Sequence, residues 1–208
     1  MSESIDQEKP LSSSVEAAFA APSEVERFES SLGRFIVAFA DCEAELRRVL
    51  VQYAQVSDPV ARAIFSGTRA KAMMDFIKNI AHNTAMLRER REDLEYVFAQ
   101  LSAINTMRDH IVHHVSDSYS FNDLGRRVVA NTRASRYGNA RAYVISAETI
   151  DAMTWDLYGI LNHLNMHWGP RTGAFTQWRE NPEDQAPTAW AYTAPNPITS
   201  WEHPPSSR

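Results

Sequence analysis

The sequence predicts an all-α protein: a four- to five-helix up-down bundle, with a short β-hairpin before its last helix and an irregular Pro/Trp-rich C-terminal tail. Three observations carry that expectation. Large apolar residues recur at three- and four-residue spacing through most of residues 22–168, the signature of helices with one buried face. The breaks between these stretches are short and hold helix-starting and helix-stopping residues. Seven of the ten prolines fall from Gly169 onward, where a regular helix cannot persist. A chain of 208 residues, 44% hydrophobic and 23% charged, suffices for one sizeable core and is short for three domains.

Residues 1–21 are polar and Ser-rich, with too few large side chains to offset the entropy of being fixed, and read as a flexible arm. The helical domain then spans residues 22–168. Its first helix carries Phe28, Leu32, Phe35, Ile36, Phe39, Leu46, Val49, Leu50 and Tyr53 at helical spacing, with Pro22 near the first turn. Asp58 and Pro59 are expected as cap and first residue of a short helix bearing Val60, Ile64 and Phe65, which Gly67 stops. A third helix over 68–82 places Met73, Phe76, Ile77 and Ile80 on its apolar side. The fourth, over 86–115, holds the continuous stripe Leu94, Val97, Phe98, Leu101, Ile104, Met107, Ile111 and Val115. The segments RRVVANTR and ARAYVIS around Tyr137-Gly138-Asn139 read as two short strands or an irregular loop. A last helix starts after Ser146, with Glu148 and Thr149 in its first turn, and runs to about His167 through Ile150, Met153, Leu157, Ile160, Leu161 and Leu164. The tail, 169–208, spaces Trp178, Trp190 and Trp201 through polar sequence. Those aromatics either tie an irregular segment to the body or belong to a flexible end.

Composition narrows the functional classes. With 26 acidic against 21 basic residues, net charge −5, a wholly basic nucleic-acid-condensing surface is not expected, while a local basic stripe is compatible. The single cysteine, Cys42, cannot form an internal disulfide or a Cys-rich zinc site, which favours a reducing compartment. No apolar run is long enough for a membrane span, and the start MSESIDQEKPLSSS lacks the features of a signal peptide, so a cytoplasmic protein without a membrane partner is expected. P-loop, dinucleotide-turn and nucleophile-elbow motifs are missing, and Cys42 sits beside Asp41 and Glu43, surroundings that disfavour a thiolate.

The chemistry concentrates in Met107-Arg108-Asp109-His110-Ile111-Val112-His113-His114 on the fourth helix. Asp109 and His113 are four apart and so neighbours on one face, where a carboxylate can orient an imidazole and raise its basicity. Arg108, from the adjacent column, can hold a phosphate through forked charge-assisted bonds. Together they form a kit for phosphoryl transfer: a cation for the crowded phosphorus centre and a histidine that moves a proton near neutral pH.

Arg108, a polar residue directly after it, three intervening residues and His113 match the motif of the HEPN superfamily, which this chain resembles over residues 23–168. These helical domains occur in many toxin and phage-defence ribonucleases. The resemblance implies a metal-independent endoribonuclease needing no cofactor. It further implies a homodimer that brings two Arg/His motifs into one cleft, where the ribose 2′-hydroxyl attacks the adjacent phosphate. Carried over, His113 would transfer the proton and Arg108 would stabilise the transition state. Asp109 stands where the family commonly has asparagine, and His114 lies within the motif's permitted spacing. An antitoxin or other regulatory protein would be a further partner. Other members are non-catalytic and bind RNA, a nucleotide or a partner protein, which is the second reading.

Plainer readings of the same residues are an Arg108–Asp109 surface ion pair and a helix-terminal His113 facing the last carbonyls, on an unrelated helical scaffold. His110 and His114 form a second four-apart pair. His163 and His167 form a third, which either meets them at an all-histidine or His/Asp metal site or decorates the polar side of the last helix. An RNA approach surface is expected from Arg126, Arg127, Arg133, Arg136 and Arg141, a stretch with no acidic residue, where Tyr137 and Tyr143 can stack on unpaired bases. The same arginines could instead be solvated or pair with the acidic N-terminal region. Arg88, Arg90 and Arg91 alternate with Glu89, Glu92 and Asp93 and read as ordinary charged surface.

Overall fold

The computed structural model describes residues 23–84, 86–114, 127–130, 142–165 and 189–197. The first helix, α1 (Glu24–Ala54), begins in a capping box. The Ser23 hydroxyl accepts from the Glu26 amide at 3.2 Å, and the Glu26 carboxylate accepts from the Ser23 amide at 2.7 Å, so two otherwise unpaired donors are satisfied. The helix ends where Gln55 turns left-handed, at φ 52°. The short α2 (Asp58–Phe65) has Ser57 at its N-cap position, without a side-chain cap bond and one residue before the expected Asp58; Asp58 and Pro59 occupy its first turn, where a missing N–H costs nothing. Gly67, at φ +75°, follows that helix as a residue without a Cβ readily does. Then come α3 (Ala70–Asn83) and α4 (Arg88–His114).

The two expected strands are present. Strand β1 (Arg127–Ala130) pairs antiparallel with β2 (Ala142–Ile145), Val128 opposite Val144 and Val129 opposite Tyr143. The last helix, α5 (Ala147–His163), starts at Ser146, whose hydroxyl accepts from the Thr149 amide at 3.3 Å.

Contacts between helices give their directions. Arg27 reaches Glu148 at 2.8 Å, Arg34 reaches Asp151 at 3.0 Å, and the Cys42 thiol donates to the Leu157 carbonyl at 3.2 Å, so α1 and α5 run parallel. Asp93 meets His163 and Gln100 meets Asp156, so α4 and α5 are antiparallel. His82 meets Glu95 at 3.4 Å and Lys78 lies over the Phe98 ring, so α3 and α4 are antiparallel too. The chain regains the level of mid-α1 through α2: Arg47 donates to the Phe65 carbonyl at 2.6 Å, and the Ala70 amide donates to Glu43. With that short return counted, the helices alternate up and down. Around the bundle, α1 neighbours α3 and α5, and α4 touches both of these.

One core fills the interior, from Phe28, Phe35, Leu46 and Leu50 on α1 through Met73 and Ile77 on α3 to Leu94, Phe98, Leu101 and Ile104 on α4. From α5 it takes Ile150, Met153, Leu157 and Ile160. Burying side chains of this size contributes about 1.5–3 kcal/mol each before entropy is counted. Several expected core residues face outward: Ile36, Val60, Ile64 and Phe76 are each more than a third exposed. No helix among the described residues covers them. Phe76 still packs on Phe65, ring centroids 6.1 Å apart.

Part of the tail joins the body. Residues 189–197 have no regular secondary structure, yet Tyr192 is buried and Trp190 stacks on Tyr96 of α4 at 5.4 Å. No helix among the described residues is long and apolar enough to cross a membrane.

Candidate functional site

Arg108, Asp109, His110 and His113 occupy the last two turns of α4, with Met107 just before them and Ile111 among them anchored in the core. That anchoring sets the rotation of the helix and therefore what each polar neighbour faces. The Arg108 guanidinium lies over the Phe39 ring of α1, 5.5 Å from its centroid, and pairs through Nη1 with Asp109 Oδ1 at 3.0 Å. Its side chain keeps 30% of its exposure and that of Asp109 50%, so the pair is reachable from solvent. Arg108 Nε is buried with no hydrogen-bond partner among the described residues. The aromatic face and the Asp109 carboxylate together fix the orientation of the guanidinium.

His113 is exposed, next to Val112, itself 44% exposed. At 3.6 residues per turn, five residues separate Arg108 from His113 by about 140° around the helix. One copy of α4 thus points the two side chains in different directions. His110 is half-buried, its ring 4.8 Å from that of Tyr143 on β2 and tilted by 54°. The hairpin strand carrying Tyr143 therefore backs the motif end of α4. Tyr143 is buried, which removes it from the base-stacking surface expected of it.

His114 ends α4, and its side chain lies outside the described residues. So do Arg126, Arg133, Arg136, Tyr137 and Arg141; Arg127 opens β1, its side chain outside the description. His167 also lies outside it. His163 does not decorate a polar surface. It is buried at 3% exposure, with Nε2 2.7 Å from Asp93 Oδ2, because it continues the α5 stripe one turn beyond Ile160. Among the described residues no group of three His, Cys, Asp or Glu is placed to hold a metal ion. Cys42 is fully buried, and burial, with Asp41, Glu45 and Glu43 adding to it, pushes its thiol up to about 12.

A polar group unforeseen in the sequence is Asp156 of α5. At 3% exposure it accepts from the Ala191 amide (2.8 Å), the Tyr192 amide (2.9 Å) and Gln100 Nε2 (2.8 Å). A signal existed: Asp156 lies three residues after Met153 and four before Ile160, on the buried stripe. A cavity of about 280 Å³ opens elsewhere, between α1 and α2, lined by Arg47, Val51, Asp58, Ala61, Arg62 and Ser66. It shares no residue with the motif.

Comparison with protein families, with characterised proteins and with solved structures finds no match to this chain.

Proposed function

We propose that the chain is a metal-independent endoribonuclease of HEPN type, acting as a homodimer in a toxin or defence setting, with Arg108 and His113 as its reactive pair. The observation that carries this reading is the aromatic-backed, solvent-reachable Arg108 guanidinium on the same two turns as exposed His113. The divergence of the two side chains supports a composite site. A second copy approaching the motif end, where Val112 offers apolar surface, would set the Arg108 of one chain beside the His113 of the other. In the reaction His113 takes the proton of the ribose 2′-hydroxyl as its oxygen bonds to phosphorus. The bond from phosphorus to the 5′-oxygen breaks, that oxygen gains a proton, and Arg108 offsets the charge on the equatorial oxygens. The products are a 2′,3′-cyclic phosphate and a 5′-hydroxyl.

One observation favours a second reading, a non-catalytic helical domain binding RNA or a partner protein: the Arg108 guanidinium is already engaged by Asp109. Cleavage of a labelled mixed-sequence RNA in EDTA, with the ends of the products identified, separates the two. The His113→Ala variant is expected to lose about 10²–10⁴-fold in rate, the usual worth of a positioned proton-transfer group. Absence of cleavage by protein confirmed as a dimer would turn the assignment to the second reading.

A further inference from the structure

The groove between α4 and α5 holds a piece of the chain's own tail in a way that a passing surface segment would not require. The Asp156 carboxylate is buried, and no cation pairs with it among the described contacts; three N–H donors satisfy it instead. Two are consecutive backbone amides of the tail, so the carboxylate recognises main chain. Gln100 completes the seat. Its amide nitrogen donates one hydrogen to Asp156 Oδ2 and the other to the Tyr192 carbonyl at 2.9 Å, both partners being acceptors. Tyr192 is thereby bonded at both its N–H and its C=O, as it would be in a sheet, but by side chains of two helices. Trp190 adds its stack on Tyr96, with ring planes 27° apart.

The seat is incomplete in one respect. Trp190 Nε1 and the Tyr192 hydroxyl are buried with no hydrogen-bond partner among the described residues, and leaving such groups unpaired opposes docking. In sequence, residues 164–188 lie between the end of α5 and the segment. Tyr192 and Tyr143 both lie in the single buried core of the protein, and Tyr143 packs on His110. Burial, with Tyr143 close by, pushes the Tyr192 hydroxyl up to about 12, as expected of a phenol kept from water.

We propose that residues 189–197 form a releasable strap, recognised by Asp156 and Gln100 in the α4–α5 groove, whose docking holds Tyr143 against His110 and so sets the motif end of α4. The seat stands independently of the ribonuclease reading; that release of the strap alters RNA cleavage rests on it.

Amide hydrogen exchange on the full-length chain tests the seat, with Asp156→Asn and Trp190→Ala as variants. Asparagine turns an NH₂ toward the donors that Asp156 now accepts from. In the unaltered protein the Ala191 and Tyr192 amides are expected to exchange at least about tenfold more slowly than in an open peptide. In both variants that protection is expected to be lost while the Leu46 amide in α1 keeps its own, and the ring resonances of His110 are expected to shift. Retained protection at 191 and 192 in Asp156→Asn would overturn the seat. Simultaneous loss at Leu46 in both variants would overturn release, making the segment part of one cooperative unit. Unmoved His110 resonances would overturn the link to the motif. RNA cleavage measured alongside keeps the readings apart: an unaltered protein that does not cleave refutes the ribonuclease, whatever the exchange shows.

Discussion

Asp109→Asn is the substitution that most sharply tests how the motif works. In the folded chain the carboxylate sits 3.0 Å from Arg108 Nη1, with side-chain exposures of 30% for the arginine and 50% for the aspartate. Such a partly solvated pair contributes at most about 1 kcal/mol to stability. The variant should therefore melt close to the unaltered protein. RNA binding should respond more. An RNA phosphate brought to Arg108 also meets the Asp109 charge, a repulsion of about 1 kcal/mol at 4 Å in water and more where water is excluded. Removing it and freeing the guanidinium is expected to gain about 1–2 kcal/mol, or about 5–30-fold in affinity. Fluorescence anisotropy with a labelled RNA measures this. The gain should shrink as salt rises and the screening length falls from about 10 Å at 0.1 M toward 3 Å at 1 M. Unchanged affinity would show that the phosphate does not approach Arg108. A tenfold or greater fall in cleavage at unchanged melting temperature would show instead that Asp109 works by orienting His113.

Two other residues make predictions independent of RNA. The Cys42 thiol, pushed from 9.0 up to about 12 by burial, should react with a thiol reagent in the native state at least about a thousandfold more slowly than a free cysteine; rapid labelling of undenatured protein would refute its placement in the core. Glu45 is buried at 2% exposure, with one oxygen 2.7 Å from Arg48 and the other unpartnered among the described residues, and burial raises its pKa despite that arginine. Between the unfolded value of 4.5 and the raised one, the folded state holds a proton the unfolded state has lost, so stability should fall as pH rises through this window. Melting temperature against pH should lose that slope in Glu45→Gln, and an unaltered slope would assign it to another group.

Helix placement was legible in the sequence because caps and apolar spacing act within a few residues. Ser23 with Glu26, and Ser146 with Thr149, start α1 and α5 by local hydrogen bonds that need no tertiary partner. The hairpin was legible as two β-branched runs around Tyr137-Gly138-Asn139, although the choice between strand pairing and an irregular loop depended on the ladder itself. The cap at Ser57 escaped because Asp58 is an equally good capping type, and no side-chain cap bond distinguishes them. The motif was legible as a string, and its neighbours were not: the Phe39 ring under Arg108 and the Tyr143 ring on His110 come from 69 and 33 residues away.

Asp156 shows most plainly where local reading ends. Its place on the α5 stripe says that it is buried, but a buried carboxylate needs partners, and the donors lie 56 residues before it and 35 and 36 residues after it. The same holds for His163, whose partner Asp93 lies on a helix running the other way. By itself the sequence determined the helices, their breaks and the position of the Arg108–His113 motif, since hydrophobic periodicity and capping are properties of neighbouring residues. Tertiary structure decided which polar residues inside those helices are satisfied, where the Trp190–Tyr192 segment comes to rest, and which rings flank the motif. Those outcomes depend on surfaces that meet only when distant segments pack.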